Sequence, residues 1–215
     1  MADRISIEVD GRVIAVEQGT NLLSACLAIG IYVPHLCYLE DVSPVSGSCR
    51  LCFVDIEGGS GPVPACTVTV ADSLVVRTGT PAVRRMQRAG LRLLLSVHRI
   101  DCKNCPANRR CELQRIARFL KAGLTPGKLE RHLKKPEVDS AHPYLDYYPN
   151  RCVLCGKCVH VCSRQHREMV LSFAKRGFDT VVGYYGASSN PSPLCAGCRA
   201  CVEVCPVAAL VPKQT

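Results

Sequence analysis

The sequence predicts an α+β fold built in successive parts, and three patterns carry this prediction. Apolar and polar residues alternate on either side of Asp10-Gly11, which is typical of a β-hairpin closed by a two-residue turn. Apolar residues then recur at helical spacing from Pro81 onward. A set of closely spaced cysteines occurs twice after Tyr144. We therefore expect a small mixed sheet, a short helical region and a repeated domain, at residues 1–79, 80–122 and 144–215, with a linker at 123–143.

The first part should be a sheet crossed by one helix. The run Asn21–Gly30 has apolar residues at helical spacing, Thr20 as its candidate N-cap and a glycine at its end. Alternation and β-branched residues indicate the strands. These are expected at Arg4–Val9, Arg12–Val16, Leu51–Glu57 and Leu74–Thr78.

The second part should contain two helices. Pro81 occupies the favoured first position of a helix, and the opposite face carries several arginines. The apolar face of this helix is predicted at Val83, Met86, Gly90, Leu94 and Val97. A second helix is expected at Arg110–Ala122, and the polar stretch Gly123–Pro143, with its proline, glycine and lysine, is predicted to be a linker.

The composition favours metal binding. The chain has 215 residues, 47% of them hydrophobic, which is enough for one or two small domains with buried cores. It shows neither an apolar run of membrane-spanning length nor a secretory signal, so we expect a cytoplasmic protein without membrane insertion. The cytosol keeps thiols reduced, so its 16 cysteines indicate metal ligands, with a disulfide-rich secreted protein as the alternative.

The repeated cysteine spacing is the strongest signal for function. Both runs read C-x2-C-x2-C-x3-C, the spacing of bacterial two-cluster ferredoxins, in which the fourth cysteine ligates the other cluster. The sequence therefore predicts two 4Fe-4S clusters. Their ligands would be Cys152, Cys155, Cys158 and Cys205 for one, and Cys162, Cys195, Cys198 and Cys201 for the other. Gly156 and Gly197 suit the positive φ that such loops require. Zinc is the alternative, although its sites usually take two widely separated pairs.

A second constellation lies in the predicted sheet. Its spacing is C-x11-C-x2-C-x13-C, and the central pair matches that of plant-type 2Fe-2S ferredoxins, whereas the first gap is longer. The predicted ligands of this 2Fe-2S cluster are Cys37, Cys49, Cys52 and Cys66. A four-cysteine zinc ribbon is the alternative.

A third constellation has only three cysteines and follows the arginine-rich helix. Its spacing is H-x3-C-x2-C-x5-C, and neutral imidazole ligates iron in Rieske centres. We therefore predict a third 4Fe-4S cluster held by His98, Cys102, Cys105 and Cys111. Two alternatives stay open, which are a structural histidine at the end of an apolar helix face and a zinc site made of the same four residues.

The remaining cysteine, Cys26, falls on the apolar face of the first helix and is predicted to be an inert core residue. The chain contains no nucleotide-binding glycine motif and no Ser-His-Asp candidate, so we expect electron transfer without substrate chemistry of its own. A redox sensor and a zinc-stapled interaction module are the alternatives from other classes.

The charge argues against nucleic acid as a partner. The formal net charge is +9, which counts every thiol as neutral. Three all-cysteine clusters at roughly −2 each and one histidine-ligated cluster at roughly −1 would lower this to about +2. The basic residues are therefore interpreted as counter-charge for the clusters, and several of them adjoin predicted ligands: Arg50, Arg99, Lys103, Arg109, Arg151, Lys157 and Arg199.

The motifs together resemble a known family. The stretches PHLCY, GSCRLCFVDI, CTVTV, HRIDCKNCPANRRCELQ and PNRCVLCGKCVHVC resemble the amino-terminal region of the large iron–sulfur subunit of respiratory complex I. The same layout is found in iron-only hydrogenases and in some NAD-dependent formate dehydrogenases. The resemblance implies a β-grasp 2Fe-2S ferredoxin-like domain, a helical domain with a histidine-ligated 4Fe-4S cluster and a bacterial two-4Fe-4S ferredoxin-like domain, and it supports His98 as a ligand.

A chain of this length resembles the small diaphorase, or gamma, subunits of cytoplasmic NAD-reducing nickel–iron hydrogenases. That resemblance implies a flavin-containing, NAD(H)-binding diaphorase subunit on one side and the small and large hydrogenase subunits on the other. It further implies electron relay between hydrogen oxidation and NAD+ reduction. An equivalent relay subunit of an NAD-dependent formate dehydrogenase or a compact NADH dehydrogenase is the alternative.

Overall fold

The computed structural model describes residues 4–166, 170–185 and 193–213. It divides into two compact units. Unit 1 consists of Met1–Leu91 with Phe119–Ala122, and unit 2 of Arg92–Arg118 with Gly123–Thr215. Among the described residues, no helix combines the length and the apolar character that crossing a bilayer requires.

Unit 1 is built on one five-stranded sheet. Its strands are β1 (Arg4–Val9), β2 (Arg12–Glu17), β3 (Phe53–Ile56), β4 (Val63–Pro64) and β5 (Val75–Arg77). They lie in the order β2-β1-β5-β3-β4, with β1 parallel to β5 and every other neighbouring pair antiparallel. The predicted hairpin is confirmed, because Val9 pairs with Arg12. Asp10 and Gly11 have φ of 49° and 83°, which suits a two-residue hairpin turn.

The predicted first helix is present as α1 (Leu22–Ala28), but its predicted cap is wrong. The side chain of Asn21, not Thr20, accepts hydrogen bonds from the N–H groups of Leu23 and Ser24, at 3.0 and 3.4 Å. The Thr20 hydroxyl instead donates to the carbonyl of Glu17 at 2.7 Å. Leu22 and Leu23 of α1 are fully buried in an aliphatic core with residues of the sheet. This core includes Ile7, Val9, Leu22, Leu23, Val33, Val54, Val70 and Val76.

The second predicted helix begins at Pro81, as expected, and forms α2 (Pro81–Ser96). Its buried face differs from the predicted one at Met86, which is 42% exposed, whereas Gln87 is fully buried. Burial of Gln87 is offset because its Nε2 donates to the Phe53 carbonyl of β3 at 3.0 Å and its Oε1 accepts from Arg84 at 2.9 Å. Hydrophobicity alone therefore misplaces this face by one position.

Unit 2 contains shorter elements. They are α3 (Glu112–Phe119), which ends in unit 1, then β6 (Leu145–Tyr147), α4 (Lys157–His166), β7 (Leu171–Ala174), β8 (Val181–Tyr184), α5 (Pro193–Gly197), α6 (Ala200–Glu203) and β9 (Leu210–Pro212). Strand β6 pairs with β9 and β7 with β8, both antiparallel, and α4 packs against α6 and β7. Helix α3 is shorter than predicted at both ends. In the stretch predicted as a linker, Lys134 is buried and its backbone is hydrogen-bonded to Asn150.

Candidate metal centres

The four predicted ligands in unit 1 are all buried and form two pairs. The N–H of Cys49 lies 3.5 Å from the Sγ of Cys37, and the thiols of these two residues are hydrogen-bonded. The thiols of Cys52 and Cys66 form an equivalent pair. The structure thus brings together side chains that are up to 29 positions apart in the sequence, from Cys37 to Cys66.

The pairing polarises the thiols. A hydrogen bond from the Cys49 thiol lowers the pKa of Cys37 to about 5, and the same hydrogen bond raises the pKa of Cys49. A hydrogen bond from Cys52 likewise lowers the pKa of Cys66. Because the thiolate is the form of cysteine that ligates metal, each pair contains one thiol with a bias toward ligation.

Three contacts hold the loops of this site. Gly90 of α2 lies so close to the loop between Cys49 and Cys52 that a Cβ added there would be 2.3 Å from the Arg50 carbonyl oxygen. The Nδ2 of Asn21, the cap of α1, donates to the Cys66 carbonyl at 2.7 Å. The N–H of Ala65 donates to the Cys52 carbonyl at 2.8 Å. These contacts position the loops independently of any metal.

In unit 2, the third predicted constellation lines one cavity. The predicted ligands that line it are His98, Cys102, Cys105 and Cys111. A 3₁₀ turn at Cys102–Asn104 and the start of α3 place the three thiols around it. Burial raises the pKa of Cys111, because the charged thiolate is poorly solvated at this position.

The hydrogen bond of His98 defines its tautomer. Its Nδ1 lies 3.0 Å from the carbonyl oxygen of Arg151, which can only accept, so Nδ1 carries the proton. Burial lowers the pKa of His98 to about 4, so the ring is neutral at ordinary pH and Nε2 keeps a free lone pair. A histidine that donates from one nitrogen to a carbonyl is prepared to ligate metal with the other.

The first predicted ferredoxin set lines a second cavity with Cys152, Cys155, Cys158 and Cys205. Backbone N–H groups point at two of these sulfurs, from Leu154 to Cys152 at 3.4 Å and from Ala209 to Cys205 at 3.2 Å. Gly156 has a φ of 77°, as predicted for this loop. Burial raises the pKa of Cys155 to about 12.

The second predicted ferredoxin set lines a third cavity with Cys162, Cys195, Cys198 and Cys201. The prediction of a positive φ at Gly197 is wrong, since this residue ends α5. Two histidines, His142 and His166, also line the cavity and were not predicted. The Nδ1 of His166 is buried and has no hydrogen-bond partner among the described residues, which is the environment expected of a group that faces a bound cofactor.

The donor sets fit iron–sulfur clusters better than single zinc ions. Thiolates are soft ligands that select iron–sulfur clusters, copper or zinc, and four ligands of one zinc ion lie about 2.3 Å from it. The thiols of unit 2 instead surround cavities, as the corners of a larger inorganic group require.

Cys26 lies outside all of these sites. It is fully buried in the core of unit 1, and burial raises its pKa to about 11. The predicted position of Cys26 in the core is confirmed.

Sequence reasoning missed three further residues near the sites. Besides His142 and His166, Tyr147 lines the same cavity as Cys152. The signal for Tyr147 in the sequence is weak, because one tyrosine five residues before a ligand does not reveal where its hydroxyl lies.

Three family models match separate parts of the chain. A 2Fe-2S iron-sulfur cluster binding domain matches residues 2–81, an NADH-ubiquinone oxidoreductase-G iron-sulfur binding region matches residues 87–123, and a 4Fe-4S dicluster domain matches residues 151–209. The predicted 2Fe-2S domain at the amino terminus and the predicted 4Fe-4S domain at the carboxy terminus are therefore confirmed.

Relatives with longer chains cover nearly the whole sequence. An NADH-quinone oxidoreductase subunit of Rhizobium meliloti is 34% identical over 96% of this chain and 24% of its own length. An NADP-reducing hydrogenase subunit, HndD of Solidesulfovibrio fructosivorans, is 33% identical over 98% of this chain and 36% of its own. The chain thus spans about a quarter to a third of the length of these curated relatives.

A solved structure is similar over most of both chains. A chain of the NAD+-reducing [NiFe]-hydrogenase in the H2-reduced state matches with a TM-score of 0.84 and 27% identity, covering 97% of this chain and 87% of that one. The fold, the thiol-lined sites and the domain matches define an iron–sulfur electron-transfer subunit. Within that class, the chain is related to subunits of NAD-reducing hydrogenase and of complex I, as its cysteine motifs predict.

Proposed function

We propose that this chain relays electrons through one 2Fe-2S and three 4Fe-4S clusters between a hydrogenase module and a flavin- and NAD(H)-binding diaphorase module. The 2Fe-2S ligands are Cys37, Cys49, Cys52 and Cys66. The ligands of the three 4Fe-4S clusters are His98 with Cys102, Cys105 and Cys111, then Cys152, Cys155, Cys158 and Cys205, and finally Cys162, Cys195, Cys198 and Cys201.

One observation carries the proposal: each of three separate cavities of unit 2 is lined by one complete set of four candidate ligands. The two ferredoxin-type sets take residues from both halves of the repeat, with Cys205 beside Cys152 in one cavity and Cys162 beside Cys195 in the other. Chance burial of cysteines would not sort them into groups of four. The arrangement supports the exchange of the fourth ligand between the two halves of the repeat.

The protein residues supply ligation, burial and charge. When bound, each cluster accepts and releases one electron, which is the chemistry the polypeptide lacks. Buried thiols exclude water, and backbone N–H groups such as that of Leu154 stabilise negative charge on sulfur. At the unit 1 site, the positive charge of Arg50 helps to lower the pKa of Cys66 and so stabilises negative charge on its sulfur.

The partners follow from what the similar proteins do. The similar solved chain comes from a hydrogenase that reduces NAD+, which supports a cytoplasmic complex with a flavin-containing diaphorase subunit and the two nickel–iron hydrogenase subunits. In such a complex, the chain takes part in hydrogen oxidation coupled to NAD+ reduction, and the reverse flow uses the same path. A relay subunit of an NADH or formate dehydrogenase is the second candidate, favoured by the relative from NADH-quinone oxidoreductase.

Iron analysis tests the cluster assignment. Protein purified without air should be brown and contain about 14 irons per chain, with matching acid-labile sulfide, from two irons in one cluster and four in each of three. Cys158→Ser should lower the iron content, whereas Cys26→Ser should leave it intact because Cys26 lies in the core. A colourless protein that binds zinc would refute the relay and identify a zinc-stapled module.

Metal analysis of the intact native complex tests the partners. Nickel that co-purifies in stoichiometric amount with a flavin subunit would support the hydrogenase. Molybdenum or tungsten without nickel would identify a formate dehydrogenase, and flavin without either metal would identify a compact NADH dehydrogenase.

A further inference from the structure

Residues 147–152, here called the bridging segment, reach two of the proposed cluster sites. Tyr147 lines the cavity of the cluster that Cys152 would ligate, and Arg151 lines the cavity of the cluster that His98 would ligate. All of these residues belong to unit 2. One short stretch of chain is therefore placed to influence two clusters.

At one end, the bridging segment presents a hydrogen-bond donor to a ligand. Tyr147 is 6% exposed, and its hydroxyl oxygen accepts the N–H of Val182 at 3.2 Å. Because that N–H can only donate, the hydroxyl proton points away from it, and Tyr147 lines the same cavity as Cys152, whose Sγ is the acceptor that we assign to this proton. A donor to a ligand sulfur withdraws electron density from it and stabilises the reduced, more negative state of a cluster.

At the other end, the bridging segment presents an acceptor. The carbonyl oxygen of Arg151 accepts the Nδ1–H of His98 at 3.0 Å. An acceptor at this nitrogen makes the imidazole a stronger electron donor through Nε2. Stronger donation stabilises the oxidised state, so this contact acts in the sense opposite to that of Tyr147.

Asn150 holds the carbonyl of Arg151 in place. Its side-chain Oδ1 accepts the N–H of Lys134 at 2.6 Å, and its Nδ2 donates to the carbonyl of Lys134 at 3.0 Å. The backbone carbonyl of Asn150 accepts, at 2.6 Å, the N–H of Arg99, which is the residue that follows His98 in the chain. Asn150 is 4% exposed, and its Oδ1, Nδ2 and carbonyl oxygen are all hydrogen-bonded. The backbone between Asn150 and Arg151 therefore has little conformational freedom.

We propose that the bridging segment shifts the reduction potentials of these two clusters in opposite directions. Tyr147 raises the potential of the cluster held by Cys152, and the Arg151 carbonyl, positioned by Asn150, lowers that of the cluster held by His98. The inference rests on the proposed function. A cluster with an imidazole ligand in place of a thiolate has a higher reduction potential. The contacts of Tyr147 and of the Arg151 carbonyl therefore both narrow the difference in reduction potential that the ligands alone would create between the two clusters. A narrow difference in reduction potential lets electrons pass between the clusters in either direction.

The test is a potentiometric titration of the full-length protein, purified without air and followed by electron paramagnetic resonance. Tyr147→Phe should shift the midpoint potential of one all-cysteine 4Fe-4S cluster to a more negative value and leave the other three clusters unchanged. Tyr148→Phe is the matched control, since the ring of Tyr148 packs on the Arg151 guanidinium at 3.9 Å, and it should shift none. A merely structural role of Tyr147 would lower thermal stability without moving a potential, and that result would overturn this half of the proposal.

Asn150→Ala tests the other half. It should shift the midpoint potential of the histidine-ligated cluster to a more positive value, and Asn150→Ser, which keeps a hydrogen-bonding group, should do so by less. Arg151→Ala is the control that keeps the carbonyl and removes a positive charge, so its shift should be negative. A positive shift in Arg151→Ala, or no shift in either Asn150 variant, would overturn the role of the carbonyl.

The unmodified protein separates this inference from the proposed function. Four cluster signals, one of them with nitrogen hyperfine coupling from a histidine ligand, would support the ligand assignment. With those signals present, unmoved potentials in the variants would refute the inference alone. Their absence from the unmodified protein would refute the ligand assignment itself, and the inference with it.

Discussion

The two units hold their candidate ligands in different surroundings. In unit 1, two of the four thiols, those of Cys52 and Cys66, belong to an aliphatic core that is otherwise formed by residues of the five-stranded sheet, α1 and the loops between them. In unit 2, the thiols line three cavities, and the elements around them are two-stranded ladders and helices of 4, 5, 8 and 10 residues. The first unit has a core beside its candidate metal site, whereas in the second the buried apolar side chains, such as Leu113, Ile116 and Leu171, are accompanied by three thiol-lined cavities.

This difference teaches where the stability of each unit originates. A fully buried leucine such as Leu22 or Leu23 contributes about 1.5–3 kcal/mol, and unit 1 buries many such side chains. Two-stranded ladders and very short helices are marginal by themselves. Unit 2 should therefore obtain much of its folding free energy from cluster binding, as small metal-binding domains do.

The largest expected effect is that of removing the clusters, which tests this comparison directly. After anaerobic removal of iron by a chelator, hydrogen exchange should accelerate throughout unit 2, because the elements that surround the cavities lose their cross-links. The amides of β1, β2 and β5 should stay protected because the core of unit 1 persists. Peptide-resolved hydrogen–deuterium exchange measures both. Equal loss of protection in the two units would contradict the comparison.

The next largest effect is expected for a single ligand in unit 2. His98→Ala should remove or alter one 4Fe-4S cluster and lower the iron content by at most about four per chain, because the other cavities have complete ligand sets. Paramagnetic resonance of the reduced protein measures the change. Four unaltered cluster signals would show that His98 is a structural histidine. His132→Ala is the control, since this ring stacks on Phe178 with centroids 4.2 Å apart and lines none of the three cavities described above.

A smaller effect is expected where α2 approaches the unit 1 site. Gly90→Ala places a Cβ against the Arg50 carbonyl, so the loop that carries Cys49 and Cys52 must shift. We expect a loss of about 1–3 kcal/mol in the free energy of unfolding and reduced 2Fe-2S occupancy. Chemical denaturation and 2Fe-2S spectroscopy measure these.

The control for this variant is Gly123→Ala, where the added Cβ meets only ordinary contacts. It should change neither the stability nor the 2Fe-2S signal. A Gly90→Ala protein with native stability and full 2Fe-2S content would show that the loop is not held by α2.

The smallest effect concerns the cap of α1 and sharpens the claim that unit 1 is stable without metal. Asn21→Ala should cost about 1 kcal/mol even in the iron-free protein, because it removes the cap and the hydrogen bond to Cys66. Thr20→Ala should cost less, since the Thr20 hydroxyl binds only the Glu17 carbonyl at an exposed position. Urea denaturation, followed by spectroscopic signals from unit 1, compares the two variants. Equal losses in the free energy of unfolding would contradict the assignment of Asn21 rather than Thr20 as the cap.

Much of the fold could be predicted because its signals are local. The hairpin at Asp10-Gly11 and the start of α2 at Pro81 depend on the φ angles that single residues prefer. The buried face of α2 could not be predicted, since Gln87 is buried only because the Phe53 carbonyl is there to accept its hydrogen bond. The same limit explains why Thr20 was wrongly predicted as the cap of α1. Its residue type alone favours it as a cap, and the sequence does not reveal where its hydroxyl points.

The sequence by itself predicted which residues are candidate metal ligands and how they group, because the reach of a short loop limits which side chains can bind one metal centre together. Tertiary structure alone decided what surrounds them. The contact of His98 with Arg151 joins residues 53 positions apart, and that of Tyr147 with Val182 joins residues 35 apart. Such contacts depend on how separate elements pack, which no short stretch of sequence encodes.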